Sequence, residues 1–196
     1  MPELKPLNHT GTARLETRRL ILRPTSISDA EQMYNNWASD PEVTKYLLWP
    51  THTDIEVTKD VLARWDKENE RPDYYHWGIV DKETGQIIGT GGCLSINERF
   101  RSTELGYCMS RAHWGKSYMS EAVAAMIEYL FNTVGLNRIA ACHDPDNIGS
   151  GRVMQKCGMA FEGVQRQANY CERRGFYDLA CYAVVKSDYV ENQTHK

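Results

Sequence analysis

Residues 113–131, HWGKSYMSEAVAAMIEYLF, join a loop of small and polar residues to an apolar helix without a break. Met119, Ala122, Val123, Met126, Ile127, Leu130 and Val134 fall on one helical stripe, and Glu121, Glu128 and Asn132 lie off it. Gly135 is placed to end this helix in the left-handed conformation. The helix begins through Gly115-Lys116-Ser117. First-turn N–H groups have no intrahelical acceptor and sit at the positive end of the peptide dipoles. A helix that follows a strand through such a turn is therefore a place for an anion. Gly115 would let a ligand approach the backbone, Lys116 would add a cation and Ser117 a hydroxyl; the same three residues also suit a plain turn with a solvated lysine. The segment is neither GxxxxGK[ST] nor GxGxxG, which removes ATP and dinucleotides as leading ligands.

On the N-terminal side, TRRLILRP (17–24) reads as a strand closed by Pro24, and SISDAEQMYNNWA (26–38) as a helix capped by Ser26 or Ser28. DPEVTKYL (40–47) and TDIEVTKDVLARWDKENE (53–70) read as two more helices. YYHWGIVD (74–81) and QIIGTGGCLSI (86–96) flank the turn KETG as a hairpin, and STELGYCMS (102–110) is a further strand. After the apolar helix come a short buried strand, NRIAACH (137–143), and a helix, IGSGRVMQKC (148–157), with Asn147 as N-cap and Gly158 at its end. Strands near MAFEGVQRQ (159–167) and YDLACYAVV (177–185) close the chain. Hairpin-joined strands followed by strand–helix crossovers predict an α/β (α+β) fold, a mixed sheet with helices on both faces. One domain is expected over 14–190, between a flexible N-terminal tail at 1–13 and a polar C-terminal tail at 191–196.

Bulk properties narrow the function. At 196 residues, with 41% hydrophobic and 25% charged residues, the composition is that of a single soluble globular domain. No stretch approaches the length of an apolar membrane span and the N-terminus has no signal-peptide core, so the expected compartment is the cytoplasm. A net charge of −3 gives no pull towards DNA. The six cysteines show neither CxxC nor metal-ligand spacing, so no metal site and no disulfide framework are expected.

Three segments taken together, LETRRLILRPTSISDAEQMYNNWASDPEV (15–43), TELGYCMSRAHWGKSYMSEAV (103–123) and DPDNIGSGRVMQKCGMAFEG (144–163), resemble the GNAT N-acetyltransferase superfamily, and within it the ribosomal-protein-alanine N-acetyltransferase branch. The resemblance implies a mostly antiparallel central sheet of about seven strands. It also implies acetyl-CoA as cofactor, its pyrophosphate held at the turn into the helix. The family pattern there, Q/R-x-x-G-x-G/A, falls on Ala112, Gly115 and Ser117; Ala112 and Ser117 depart from it. Cys108, Met109, Trp114, Gly115, Lys116, Ser117, Tyr118, Met119, Asn147, Ser150 and Arg152 are the cofactor-binding residues that the resemblance implies.

Acetyl transfer from a thioester to an amine needs a neutral amine aligned with the carbonyl, a donor for the oxyanion and a proton for the departing thiolate. Ser150 matches the family serine near the sulfur and is the candidate acid, although it also suits a first-turn helix residue. Asn147 matches the asparagine of the pantetheine arm and is equally a helix cap. The branch's glutamate base aligns with Asn169, an amide that cannot take a proton, so Glu104 on TELGY is the replacement candidate, acting through water. Its alternative is a half-buried carboxylate paired with Arg101 or Arg138. Trp49, Asn169 and Tyr170 are the expected acceptor residues, and Tyr46 is counted with the core aromatics. The function expected is acetyl transfer to a primary amine, either a protein N-terminus or a small molecule. The alternative is a CoA-binding sensor or interaction module without turnover. A homodimer is compatible with either.

Overall fold

The computed structural model describes residues 5–172 and 174–194. Its strands are β1 Leu15–Glu16, β2 Leu20–Arg23, β3 His76–Asp81, β4 Ile87–Asn97, β5 Ser102–Met109, β6 Arg138–His143, β7 Ala160–Cys171 and β8 Gly175–Val185. They form one sheet in the order β1-β2-β3-β4-β5-β6-β8-β7. That is one strand more than the expected seven or so. The addition is β1, which pairs Leu15 with Leu22 and Glu16 with Ile21 and is too short to show an alternating pattern.

Every pairing is antiparallel except β5 with β6. This parallel pair is joined only over Ser102, Thr103 and Glu104, against Arg138, Ile139 and Ala140. From Leu105 onward, among the described residues, β5 has no ladder partner on that side, so the two strands splay apart. The sheet is closed at one end of this pair and open at the other.

The helices are α1 Ala30–Met33, α2 Pro41–Thr44, α3 Ile55–Glu68, α4 Tyr118–Tyr129, α5 Ile148–Lys156 and α6 Lys186–Thr194. α1 runs on into a π-helical turn at Tyr34–Ala38 and α4 into another at Leu130–Val134. α4 carries the predicted stripe: Met119, Ala122, Val123, Met126 and Ile127 are buried on the sheet with Trp77, Leu105 and Met109. Gly135, at φ 90°, terminates it as expected. On the opposite face, Met33, Trp37, Val43 and Leu62 from the α1–α3 region pack on Val80 and Ile87, with Cys108 alongside. Side chains along β5 therefore alternate in direction: Leu105, Tyr107 and Met109 face α4, while Cys108, and by the same alternation Glu104, face the α1–α3 side.

Both expected tails differ from the structure where they are described. Leu7 is buried in the main core, and the Asn8 N–H donates to the Val134 carbonyl at 2.9 Å. His9 bonds Glu98 and Tyr75, and the Gly11 N–H donates to the Pro72 carbonyl at 2.7 Å. Residues 7–13 thus belong to the domain; residues 1–4 lie outside the described residues. At the other end, residues 191–194 continue α6, and residues 195 and 196 lie outside the described residues.

Candidate active site

A cavity of about 490 Å³ occupies the open end of the splay. Tyr107, Cys108 and Met109 of β5 form its floor, the turn into α4 one wall and the first half of α5 another. Glu42, Val43, Tyr46 and Leu47 close it from the α2 side. Because α4 and α2 lie on opposite faces of the sheet, the cavity runs through the sheet between β5 and β6. A ligand can thus be held from one face and reacted from the other.

The turn into α4 is built to leave donors exposed. Gly115 and Ser117 both take left-handed backbone conformations, at φ 73° and 62°. Among the described residues no side chain caps α4, whereas Asp40, Asp54 and Asn147 cap α2, α3 and α5. The unspent first-turn N–H groups are the ones an anion would take. Around them the turn is locked. The Glu121 carboxylate accepts from Thr17 Oγ1 at 2.6 Å, from the Arg19 N–H at 2.8 Å and from Arg19 Nε at 2.7 Å. Arg19 also donates to the Lys116 carbonyl at 3.1 Å, and its guanidinium lies 4.1 Å from the Tyr118 ring centroid. Burial would raise the Glu121 pKa, but these donors outweigh it and hold the group below the ordinary glutamate value.

Of the cofactor residues expected, Cys108, Met109, Trp114, Gly115, Ser117, Tyr118, Met119, Asn147, Ser150 and Arg152 all line this cavity. Lys116 does not; the turn uses its carbonyl. The ammonium at the turn belongs instead to Lys156, on the last turn of α5, which donates to Ser117 Oγ at 2.8 Å and lines the cavity. Lys156 stands nine residues after the Asn147 cap, and its helical spacing from Arg152 was the available signal.

Ser150 lines the cavity from the first turn of α5. Asn147 Oδ1 accepts from its backbone N–H at 3.3 Å, so the capping role and a position on the cavity wall coexist in Asn147. Ser150 Oγ donates to Tyr107 Oη at 3.1 Å, and the Tyr107 hydroxyl donates to the Ser150 carbonyl at 3.1 Å. Burial pushes the Tyr107 phenol well above its ordinary value, the Ser150 contact opposing only in part, so the pair is neutral. Sequence reading missed Tyr107.

Glu104 lies outside the cavity lining, at the closed end of the splay and on the same face as Cys108. Its carboxyl meets the Cys142 thiol; burial raises its pKa and the thiol contact offsets this in part. Arg138 is taken by Glu162 at 2.5 Å, so the expected pairing with Glu104 is not made. The acceptor residues expected from sequence differ more. Trp49 packs on His52 with ring centroids 5.1 Å apart and is no part of the cavity wall, which Tyr46 and Leu47 form instead. Asn169 Oδ1 is turned back onto the Tyr170 N–H at 2.8 Å, and the Tyr170 ring is exposed against Phe176. Neither lines the cavity. Segment 46–49 is a turn whose facing no periodicity fixes, and β7 is bulged between Gln165 and Asn169, which shifts the register.

Comparison with known proteins places the chain in a family. Residues 19–160 match the GNAT acetyltransferase domain. The N-acetyltransferase p20 of Bacillus licheniformis is 34% identical over 175 residues, covering 89% of this chain and 97% of the relative. The [ribosomal protein uS5]-alanine N-acetyltransferase of Escherichia coli is 25% identical over 161 residues, covering 78% and 81%. A microcin C7 self-immunity acetyltransferase, solved in complex with acetyl-CoA and AMP, shares the fold with a TM-score of 0.78 at 20% identity, covering 86% of this chain and 93% of that one. Among the described residues no helix is long and apolar enough to cross a membrane. The chain belongs to the GNAT acetyltransferase family and is an N-acetyltransferase.

Proposed function

We propose that this enzyme moves the acetyl group of acetyl-CoA to a primary amine, on a protein N-terminus or a small molecule, by direct attack of the amine on the thioester. The observation that carries the reading is the uncapped α4 N-terminus opening into a cavity that passes through the sheet to Ser150 and Tyr107. The residues present fit the cofactor: the free amides and Lys156 suit a diphosphate, and the unpaired edge of β5 offers backbone groups to the amides of a pantetheine arm. When bound, acetyl-CoA supplies an acyl group activated by a thiolate leaving group.

Ser150 and Tyr107 act as a neutral two-hydroxyl donor. As the new C–N bond forms and the C–S bond breaks, the Ser150 hydroxyl would turn from Tyr107 to the sulfur and stabilise the departing thiolate by a hydrogen bond while keeping its own proton, the thiolate being protonated by solvent. Tyr107 keeps its own hydrogen bond to the Ser150 carbonyl and so holds the serine in place. Glu104, its pKa raised by burial, takes the amine proton through water from the α2 side. Tyr46 and Leu47 wall the acceptor. A diet of acetyl-CoA and six cysteines in a chain without a disulfide spacing suit the cytoplasm.

Release of CoA thiol from acetyl-CoA, followed across a panel that includes an alanine-ended peptide and a polyamine, tests the reading. Amine-dependent release is expected, with kcat about 10- to 100-fold lower in Ser150→Ala and in Tyr107→Phe. The double variant should fall little below the lower single one, since both act as one unit. Release that ignores the amine, or a Ser150→Ala variant at the wild-type rate, would contradict it.

A further inference from the structure

The turn between β7 and β8 carries a contact that the transfer mechanism above does not use. Arg174 forms an ion pair with Asp144, whose side chain is only 5% exposed. The same guanidinium lies 4.6 Å from the Tyr177 ring centroid and 5.4 Å from that of Tyr46. Both distances are within cation–π range. Tyr46 walls the cavity on the α2 side. Asp144 stands directly before α5: its Oδ1 accepts the Asp146 N–H at 2.9 Å, and its carbonyl accepts the Asn147 N–H at 2.7 Å. Asn147 in turn caps Ser150. One side chain therefore joins the acceptor wall to the loop that sets the donor hydroxyl, and it does so across the open end of the splayed strands.

We propose that Arg174 is a positioning residue for acetyl transfer, fixing Tyr46 against the Asp144–Asn147 loop so that the amine pocket and Ser150 keep one geometry. The proposal rests on the acetyl-transfer reading for its kinetics, but not for its structural readout. Arginine suits the task, because a planar guanidinium can give its edge to a carboxylate while its faces lie on rings. α2 and α5 bury their apolar residues in separate clusters on opposite faces of the sheet, Val43 in one and Met154 in the other, so a side chain that reaches both sides ties them together.

Removing Arg174 alone leaves a buried carboxylate without its partner, so a double variant that neutralises both groups is the cleaner probe. Amide hydrogen exchange is measured on the wild type, Arg174→Ala, Arg174→Lys and the double variant Asp144→Asn/Arg174→Gln. Segments 42–48 and 144–150 are expected to exchange about 10-fold faster in both Arg174→Ala and the double variant. Arg174→Lys, which keeps the ion pair, should restore 144–150 more than 42–48. With an alanine-ended tripeptide as the probe amine, KM should rise about 10-fold and kcat should fall as well, since Tyr46 walls the acceptor and Ser150 rides on the loosened loop. Faster exchange confined to residues 171–177, or wild-type kcat and amine KM in both Arg174→Ala and the double variant, would overturn the assignment. A wild type that turns over no amine would count against acetyl transfer, whereas the exchange pattern would still decide the role of Arg174.

Discussion

Glu104 is the side chain on which structure and chemistry pull in opposite directions. A carboxyl half-buried beside a thiol is disfavoured in its ionised form, so its pKa is raised above 4.5. A glutamate whose folded pKa exceeds its unfolded one costs nothing below about pH 4.5, where both states hold the proton. The cost grows as pH rises through the raised value and persists at pH 7. Glu104→Gln should therefore unfold at a higher temperature than the wild type at pH 7, with the gain vanishing by pH 4 in thermal melts. The same variant should lose about 100-fold in kcat near neutrality, and less at high pH, where the amine deprotonates unaided. A variant more stable and less active at once is the signature of a base retained at a cost; an unchanged rate would make Glu104 structural. At this scale the sequence was legible where a motif fixed the offset. Asn147, Ser150 and Gly115 all line the cavity, because helix caps and tight turns tie residue type to position. Tyr107, Lys156 and Tyr46 were not legible, since each reaches the cavity from a separate element, and what brings those elements together is the splay of the sheet.

α4 shows how an element becomes a site when one end is left unfinished. Its stripe buries five apolar side chains, while its first turn lacks a cap and is held instead through its own Glu121, which accepts from Thr17 and Arg19 outside the helix. Glu121 stabilises the fold above its unfolded pKa, and that contribution is lost as pH falls through the lowered folded value. Glu121→Gln should lower the melting midpoint by roughly 3–6 °C at pH 7, as loss of a charged hydrogen bond implies, and the difference should shrink well below pH 4.5. It should also weaken acetyl-CoA binding, because Arg19 would no longer be braced against the Lys116 carbonyl. An unchanged Kd would mean that the turn holds its form without this brace. The helix itself was plain in the periodicity of residues 119–134. Its π-helical end was not, since a π turn changes the hydrogen-bond ladder without changing which residues are apolar.

At the scale of the molecule, the deciding feature is the single parallel pair. β5 and β6 are bonded over three residues and then diverge, and the cavity, the uncapped helix and the Tyr107–Ser150 pair all stand at that opening. The strand and helix order read from the sequence leads to the family fold, but splay is a matter of twist and register that no local pattern encodes. Nor did composition show that residues 7–13 close the core against α4 and β3, because a single buried leucine and a few backbone bonds leave no periodic trace. Everything proposed for this opening requires that acetyl-CoA occupy it. The most direct measurement is the thermal unfolding midpoint with and without acetyl-CoA, with ATP and inorganic phosphate as controls. Binding at about 100 times Kd adds roughly 2.7 kcal/mol, which for a chain of this size raises the midpoint by about 5–10 °C. That rise with acetyl-CoA, and none with phosphate or ATP, is the predicted result; no rise at saturating acetyl-CoA would contradict it.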